Sequence, residues 1–248
     1  MKILRVLYTG YGFLVFCLLF VIFFFPFLIP ITFPAQHRLV GILNRWWAKC
    51  LCTLIALPWK IEYRFSRDPA KTYIFCANHF SYFDIAAMAL NPHNTIFVGK
   101  ELGTIPLFGF MYRKLHIIVN RASLKSRYET MVRSLRAIDE GKSLVIFPEG
   151  GIITEKEPII HRFKDGAFRT SIEKQIPIVP VTIPYNWIIL PPDEFLVRWH
   201  PLKVIFHEPV DPAGFTLEDI DAYKEKVRSI IDRELNKHLT HEHQPRTA

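Results

Sequence analysis

The chain has 248 residues, enough for one α/β domain with a sizeable core. It carries 31 Lys and Arg against 23 Asp and Glu, a formal charge of +8. Residues 1–61 hold no Asp or Glu but contain Lys2, Arg5, Arg38, Arg45, Lys49 and Lys60, so most of the excess lies beside the most apolar part of the chain. That pairing fits an anionic membrane surface and argues against nucleic acid, which calls for cations interleaved with aromatics across a folded face.

Residues Phe13 to Phe33 are apolar except for Thr32, long enough to cross or enter a bilayer. Pro26, Pro30 and Pro34 fall in the later half and speak against a single straight helix. Leu39 to Trp59 is amphipathic, with Arg45 and Lys49 among Trp46, Trp47, Leu51, Leu54 and Leu57, as in the headgroup zone. Cations flank the first segment on both sides, which favours both of its ends staying on one face. A secretory signal is disfavoured, because the run is too long and no small-x-small site follows it. The expected organisation is a membrane-anchoring helical segment at 1–61, a soluble domain at 62–239 and a disordered tail at 240–248.

Beyond residue 62, apolar runs of strand length recur at 73–77, 95–98, 116–119, 143–147, 176–183 and 202–206. Leu124, Tyr128, Met131, Val132, Leu135 and Ile138 have helical spacing, and Gly141 follows as a stop. Strands alternating with helices predict an α/β fold with a mostly parallel central sheet flanked by helices. A last helix is expected with Thr216 as its cap and Ile220, Tyr223, Val227, Ile230 and Leu235 along one face. Cys17, Cys50, Cys52 and Cys76 form no disulfide or zinc pattern and read as buried thiols in a reducing compartment.

Four clusters each follow a strand-like run: Asn78-His79-Phe80-Ser81-Tyr82-Phe83-Asp84, the Lys100-Glu101-Leu102 stretch on to Pro106 and Gly109, Asn120-Arg121, and Phe147-Pro148-Glu149-Gly150-Gly151. In an open parallel sheet, residues just past the strand ends share one edge, where ligands bind. His79 followed by Asp84 suits a general base with an orienting carboxylate. Each cluster also has a plainer reading. Ser81 and Asp84 form a capping pair, Lys100 and Glu101 are surface charges, Arg121 pairs with any carboxylate, and Gly150-Gly151 is a turn. Those readings do not explain why all four occur together. Gly-x-Ser-x-Gly is absent, which disfavours a serine nucleophile at Ser81, and no phosphate loop or dinucleotide fingerprint is present. No metal-ligand cluster is evident, and His241-Glu242-His243 in the tail reads as incidental.

The ordered set resembles the glycerolipid acyltransferase family, which includes the bacterial 1-acyl-glycerol-3-phosphate acyltransferases. The resemblance rests on Asn-His-x-x-x-x-Asp at Asn78, His79 and Asp84, and on Lys-Glu-Leu with Pro106 and Gly109. Arg121, Phe-Pro-Glu-Gly from Phe147, Lys-x-Gly at Lys164 and Gly166, and Val179-Pro180-Val181 complete it. It implies the glycerol-phosphate acyltransferase fold and transfer of a fatty-acyl group from a thioester to the free hydroxyl of 1-acyl-glycerol-3-phosphate, giving phosphatidate. His79 would be the base and Asp84 its holder, with Lys100 and Arg121 as oxyanion or phosphate cations. Glu149, Gly150, Gly151, Arg162 and Lys164 would lie on the acceptor side. Glu149 would either order the Gly150-Gly151 turn or bind an acceptor hydroxyl. No cofactor or metal is expected; the co-substrate is an acyl thioester of coenzyme A or of acyl carrier protein. The expected place is the inner membrane, with the catalytic domain on the cytoplasmic side. The family usually follows Glu-Gly with Thr-Arg, and this chain has Gly151-Ile152 there. A different lysolipid acceptor, such as a lyso-ornithine lipid, is therefore the alternative, and a non-catalytic lipid-binding protein is a third reading.

Overall fold

The computed structural model describes residues 2–68, 70–100, 107–120, 123–153 and 158–242. The N-terminal third is a helical hairpin, α1 (Lys2–Thr32) and α2 (Arg38–Leu54), joined by a short 3-10 turn at Pro34–Gln36. There follow β1 (Trp59–Tyr63), β2 (Ile74–Ala77), α3 (Asp84–Ala89), β3 (Thr95–Lys100), α4 (Phe108–Leu115), β4 (Ile117–Val119), α5 (Leu124–Asp139) and β5 (Ser143–Ile146). The chain ends with α6 (Gly166–Lys174), β6 (Ile178–Thr182), α7 (Asn186–Ile189), β7 (Leu202–Phe206) and α8 (Ile220–Glu242).

The seven strands form one sheet in the order β1-β7-β6-β2-β5-β3-β4. Five run parallel, while β7 meets β6 antiparallel and carries β1 parallel to itself. The α/β expectation thus holds, with a reversed pair of strands at one side. Successive side chains of β2 point to opposite faces. Phe75 and Ala77 join the core under the hairpin with Leu51, Cys52 and Met88. Ile74 and Cys76 join the other with Phe168, Tyr223 and Val227. Both faces are covered, which is why the inner strands read as continuous apolar runs.

Three local details bear on the expectations. First, α1 is continuous through Pro26 and Pro30. Each proline removes one N–H from the helix ladder, but the flanking turns keep theirs and Phe27 and Pro30 are packed inward. Second, β1 was not foreseen. It is an edge strand whose alternation of Trp59, Ile61 and Tyr63 with Lys60 and Glu62 is hidden at the end of the amphipathic stretch, and it straddles the expected boundary at residue 61. Third, Thr216 caps the start of α8 as expected, its Oγ1 accepting from Glu218 N at 3.3 Å, and the cap is reciprocal. The Asp219 carboxylate accepts from Thr216 N at 3.0 Å and Thr216 Oγ1 at 2.7 Å, just before the helix begins at Ile220. The helix also runs to Glu242, into the stretch expected as a tail.

One stripe of α1, including Val15, Leu19 and Phe27, is buried against α2, α4 and the core. Leu7, Phe13, Leu14, Leu18, Val21, Ile22 and Phe25 are exposed. Among the described residues α1 is the one helix long and apolar enough to cross a membrane. The hairpin sits close on the domain: a Cβ at Gly41 of α2 would come within 2.9 Å of Asn94 Cα. It also holds the connection between α7 and β7. Arg5 pairs with Glu194, Val197 N donates to Thr9 Oγ1 at 2.9 Å, and Trp199 Nε1 donates to Ala56 O at 2.7 Å.

Candidate active site

β2 and β5 are parallel neighbours, so the chain leaves both at the same sheet edge. Asn78, the first residue past β2, is fully buried. Its Oδ1 accepts from Ile183 N at 2.8 Å and its Nδ2 donates to Ile183 O at 3.0 Å. The side chain thereby extends the β2–β6 ladder by one step and fixes where the next turn begins.

That turn converges on Asp84. Its Oδ2 accepts from Phe80 N at 2.8 Å and Ser81 N at 2.9 Å, and lies 2.9 Å from His79 Nδ1. Its Oδ1 accepts from Asn186 Nδ2 at 2.8 Å. The capping reading and the catalytic reading therefore describe one geometry: the carboxylate that closes the turn at the start of α3 also receives the imidazole. A carboxylate only accepts, so the His79 proton sits on Nδ1 and Nε2 keeps its lone pair. The ring lies face to face on Phe147, centroids 4.1 Å apart, and the side chain is 14% exposed. Asp84 is fully buried. An oriented imidazole at the lip of a sheet, whose other nitrogen has no partner among the described residues, can take a proton from a hydroxyl. Ser81 is a structural hydroxyl, since it is buried and its Oγ donates to Leu190 O at 2.7 Å.

Glu149 lies past β5 and is 2% exposed. Its Oε1 accepts from His79 N at 2.8 Å and its Oε2 from His161 N at 2.9 Å. Beside the two roles left open by the sequence, the geometry gives Glu149 a further one. Glu149 ties the histidine's own backbone to the 158–163 segment, while the Gly150 turn closes through Gly150 N to Phe147 O at 3.0 Å, with Gly150 at φ +87°. Burial pushes the Glu149 carboxyl up to about 7, and the nearby Asp84 charge adds to this against the pull of the two N–H donors. A carboxyl raised on folding favours the protonated native state. Its contribution is complete below about 4.5 and is lost as pH rises through 7. Stability should therefore fall across that window by on the order of 2–3 kcal/mol, and the melting temperature with it. The Glu149→Gln variant should show a flatter profile in thermal melts from pH 4 to 8.

The other expected residues divide. Lys100 ends β3 exposed, two strands from β2 and so about 10 Å away along the same edge. Lys164 is exposed beside the Pro148 turn, its N donating to Pro148 O at 2.8 Å. Gly151 follows Gly150 and is partly exposed. Arg162 is not brought to the dyad: it is 84% exposed and turns to α8, where it lies 3.7 Å from Asp221. Arg121 lies outside the described residues, as do Glu101, Leu102 and Pro106. Sequence reasoning missed Asn186, which follows the Val179-Pro180-Val181 strand by five residues and belongs to no motif.

Residues 60–184 match the family model described as Acyltransferase. The chain is 32% identical over 215 residues to the 1-acyl-sn-glycerol-3-phosphate acyltransferase of Haemophilus influenzae, covering 80% of this chain and 85% of that protein. It is 30% identical to the protein of the same name from Limnanthes alba, covering 71% of this chain and 63% of that one. The solved structure of the 1-acyl-sn-glycerophosphate (LPA) acyltransferase PlsC from Thermotoga maritima has the same fold, with a TM-score of 0.78, 21% identity and coverage of 95% and 96% of the two chains. By the family match along half its length and by its likeness to the Haemophilus protein, the chain belongs to the acyltransferase family.

Proposed function

We propose that this protein transfers a fatty-acyl group from an acyl thioester to the free hydroxyl of 1-acyl-glycerol-3-phosphate, giving phosphatidate for phospholipid synthesis. The observation that carries the reading is the His79 Nδ1–Asp84 Oδ2 contact at 2.9 Å, which leaves Nε2 for the acceptor. The names of the Haemophilus and Limnanthes relatives support the acceptor.

His79 Nε2 takes the hydroxyl proton as that oxygen attacks the thioester carbonyl. The C–O bond forms, the tetrahedral oxyanion collapses, and the C–S bond breaks. The leaving thiolate takes the proton back from the imidazolium, so an ester and a free thiol result. Asp84 stabilises the imidazolium between these steps. Gly150 N is occupied by Phe147 O, so the amide of Gly151 is our choice of oxyanion donor in that turn. Lys100 and Lys164 are the described cations proposed for the acceptor phosphate, with Arg121 as a third. Gly151-Ile152 supplies no arginine there. The exposed apolar side of α1 and the cations of residues 1–61 support docking on the cytoplasmic face of the inner membrane. A docked enzyme meets its lipid without drawing the chain into water, which would cost about 0.8 kcal/mol per CH₂.

The test is an acyl-transfer assay on purified full-length protein with a panel of lysolipids, each with acyl-coenzyme A and acyl carrier protein thioesters. Turnover on 1-acyl-glycerol-3-phosphate is expected to exceed that on a lyso-ornithine lipid at least tenfold. Turnover only on acceptors without phosphate would replace the acceptor, and none on any lysolipid would leave a lipid-binding protein.

A further inference from the structure

Asp84 has two oxygens, and the motif that contains it accounts for one. Oδ2 is filled by His79 and two turn amides, all within six residues. Oδ1 is held by a side chain 102 residues away, Asn186 Nδ2 at 2.8 Å. Asn186 is fully buried, and its own Oδ1 meets no hydrogen-bond partner among the described residues. A buried amide that leaves one end unsatisfied incurs a cost of about 1–3 kcal/mol. Here that end is fixed by the other: only the NH₂ can face a carboxylate. Asn186 opens the one-turn helix α7, just beyond the residues matched to the family model.

We propose that Asn186 is a positioning residue of the catalytic pair, fixing the rotation of the Asp84 carboxylate so that Oδ2 stays aligned with His79 Nδ1. The reason is geometric. Rotation about the Cβ–Cγ bond moves both carboxylate oxygens, and on the Oδ2 side it is opposed only by donors of the turn itself. A donor on Oδ1 from outside the turn opposes the same rotation from the other side. The loss of this donor leaves both substrates' contacts intact and reduces the fraction of enzyme with the imidazole aimed at the acceptor, so the effect belongs in kcat.

The inference rests on the His79–Asp84 reading, and His79→Ala in the same assay tests that reading separately. Asn186→Ala should lower kcat roughly tenfold while KM for lysolipid and thioester stays within about twofold. Asn186→Asp places a second buried carboxyl against Asp84, and two carboxyls that close share one proton, so the introduced group would donate to Asp84 Oδ1 in place of the amide. Its kcat should therefore lie nearer the parent than that of Asn186→Ala. Thermal melts of both variants identify any that do not fold. If Asn186→Asp does not fold, the kcat-against-KM split of Asn186→Ala decides. A folded Asn186→Ala with unchanged kcat would overturn the proposal even where His79→Ala is inactive. So would a loss that appears equally in both KM values, which would assign Asn186 to the shape of the cleft. Loss in both His79→Ala and Asn186→Ala, with KM held in the latter, supports it.

Discussion

His79→Ala is expected to lower acyl transfer by roughly 10²–10⁴-fold while leaving the melting temperature within a few degrees of the parent. The direction and the selectivity both come from the geometry. The imidazole gives one hydrogen bond, to Asp84, and stacks on Phe147, whereas the turn itself is held by the backbone amides of His79, Phe80 and Ser81. Alanine keeps all three amides and removes only the ring. The residual rate would reflect substrates still held side by side on the same edge. Initial rates with labelled thioester, together with melts of the same preparations, measure both parts. A variant retaining full activity would remove the base from the mechanism.

Replacements of Asp84 should separate charge from scaffold. Asp84→Asn can keep an oxygen toward Phe80 N, Ser81 N and His79 Nδ1 and turn its NH₂ toward Asn186. The amide there can rotate to present its Oδ1, which has no other partner among the described residues. This variant should therefore fold, keep the histidine's tautomer, and lose only the anion that stabilises the imidazolium, with kcat down by roughly 10²–10⁴-fold. Asp84→Ala is the harsher change. Phe80 N, Ser81 N and Asn186 Nδ2 would be stranded in a buried site at about 1–3 kcal/mol each. It should lose activity and also melt well below the asparagine variant. Equal melting temperatures for the two would mean that the carboxylate does not hold the turn.

The proposed catalytic pair could be read from the sequence because both members lie within one turn, five residues apart, behind a single apolar strand. Local spacing is enough to put His79 and Asp84 together. The same was true of the parallel strands, whose apolar runs follow from burial on both faces. Glu149 was legible as a residue but not in its role. Its partners are backbone amides at residues 79 and 161, and backbone amides carry no sequence signal. Asn186 was invisible for a related reason: its partner is 102 residues away, and a single asparagine has no period or motif. Arg162 is a different case. Its position beside Lys164 suggested the cleft, but the direction of a long exposed side chain is set by the nearest carboxylate, here Asp221 on α8.

The bonds from α1 to the connection before β7 bear on how this enzyme is prepared for study. A shortened version beginning after residue 33, made to avoid detergent, would lose Arg5 and Thr9, the partners of Glu194 and Val197. That connection starts at Leu190, whose carbonyl receives the Ser81 hydroxyl inside the turn that carries His79. Inactivity of such a product would therefore not isolate the contribution of lipid contact. Substitutions on the outward side of the helix, such as Leu14 and Leu18 to polar residues, leave those ties intact and are the cleaner way to ask what the bilayer contributes.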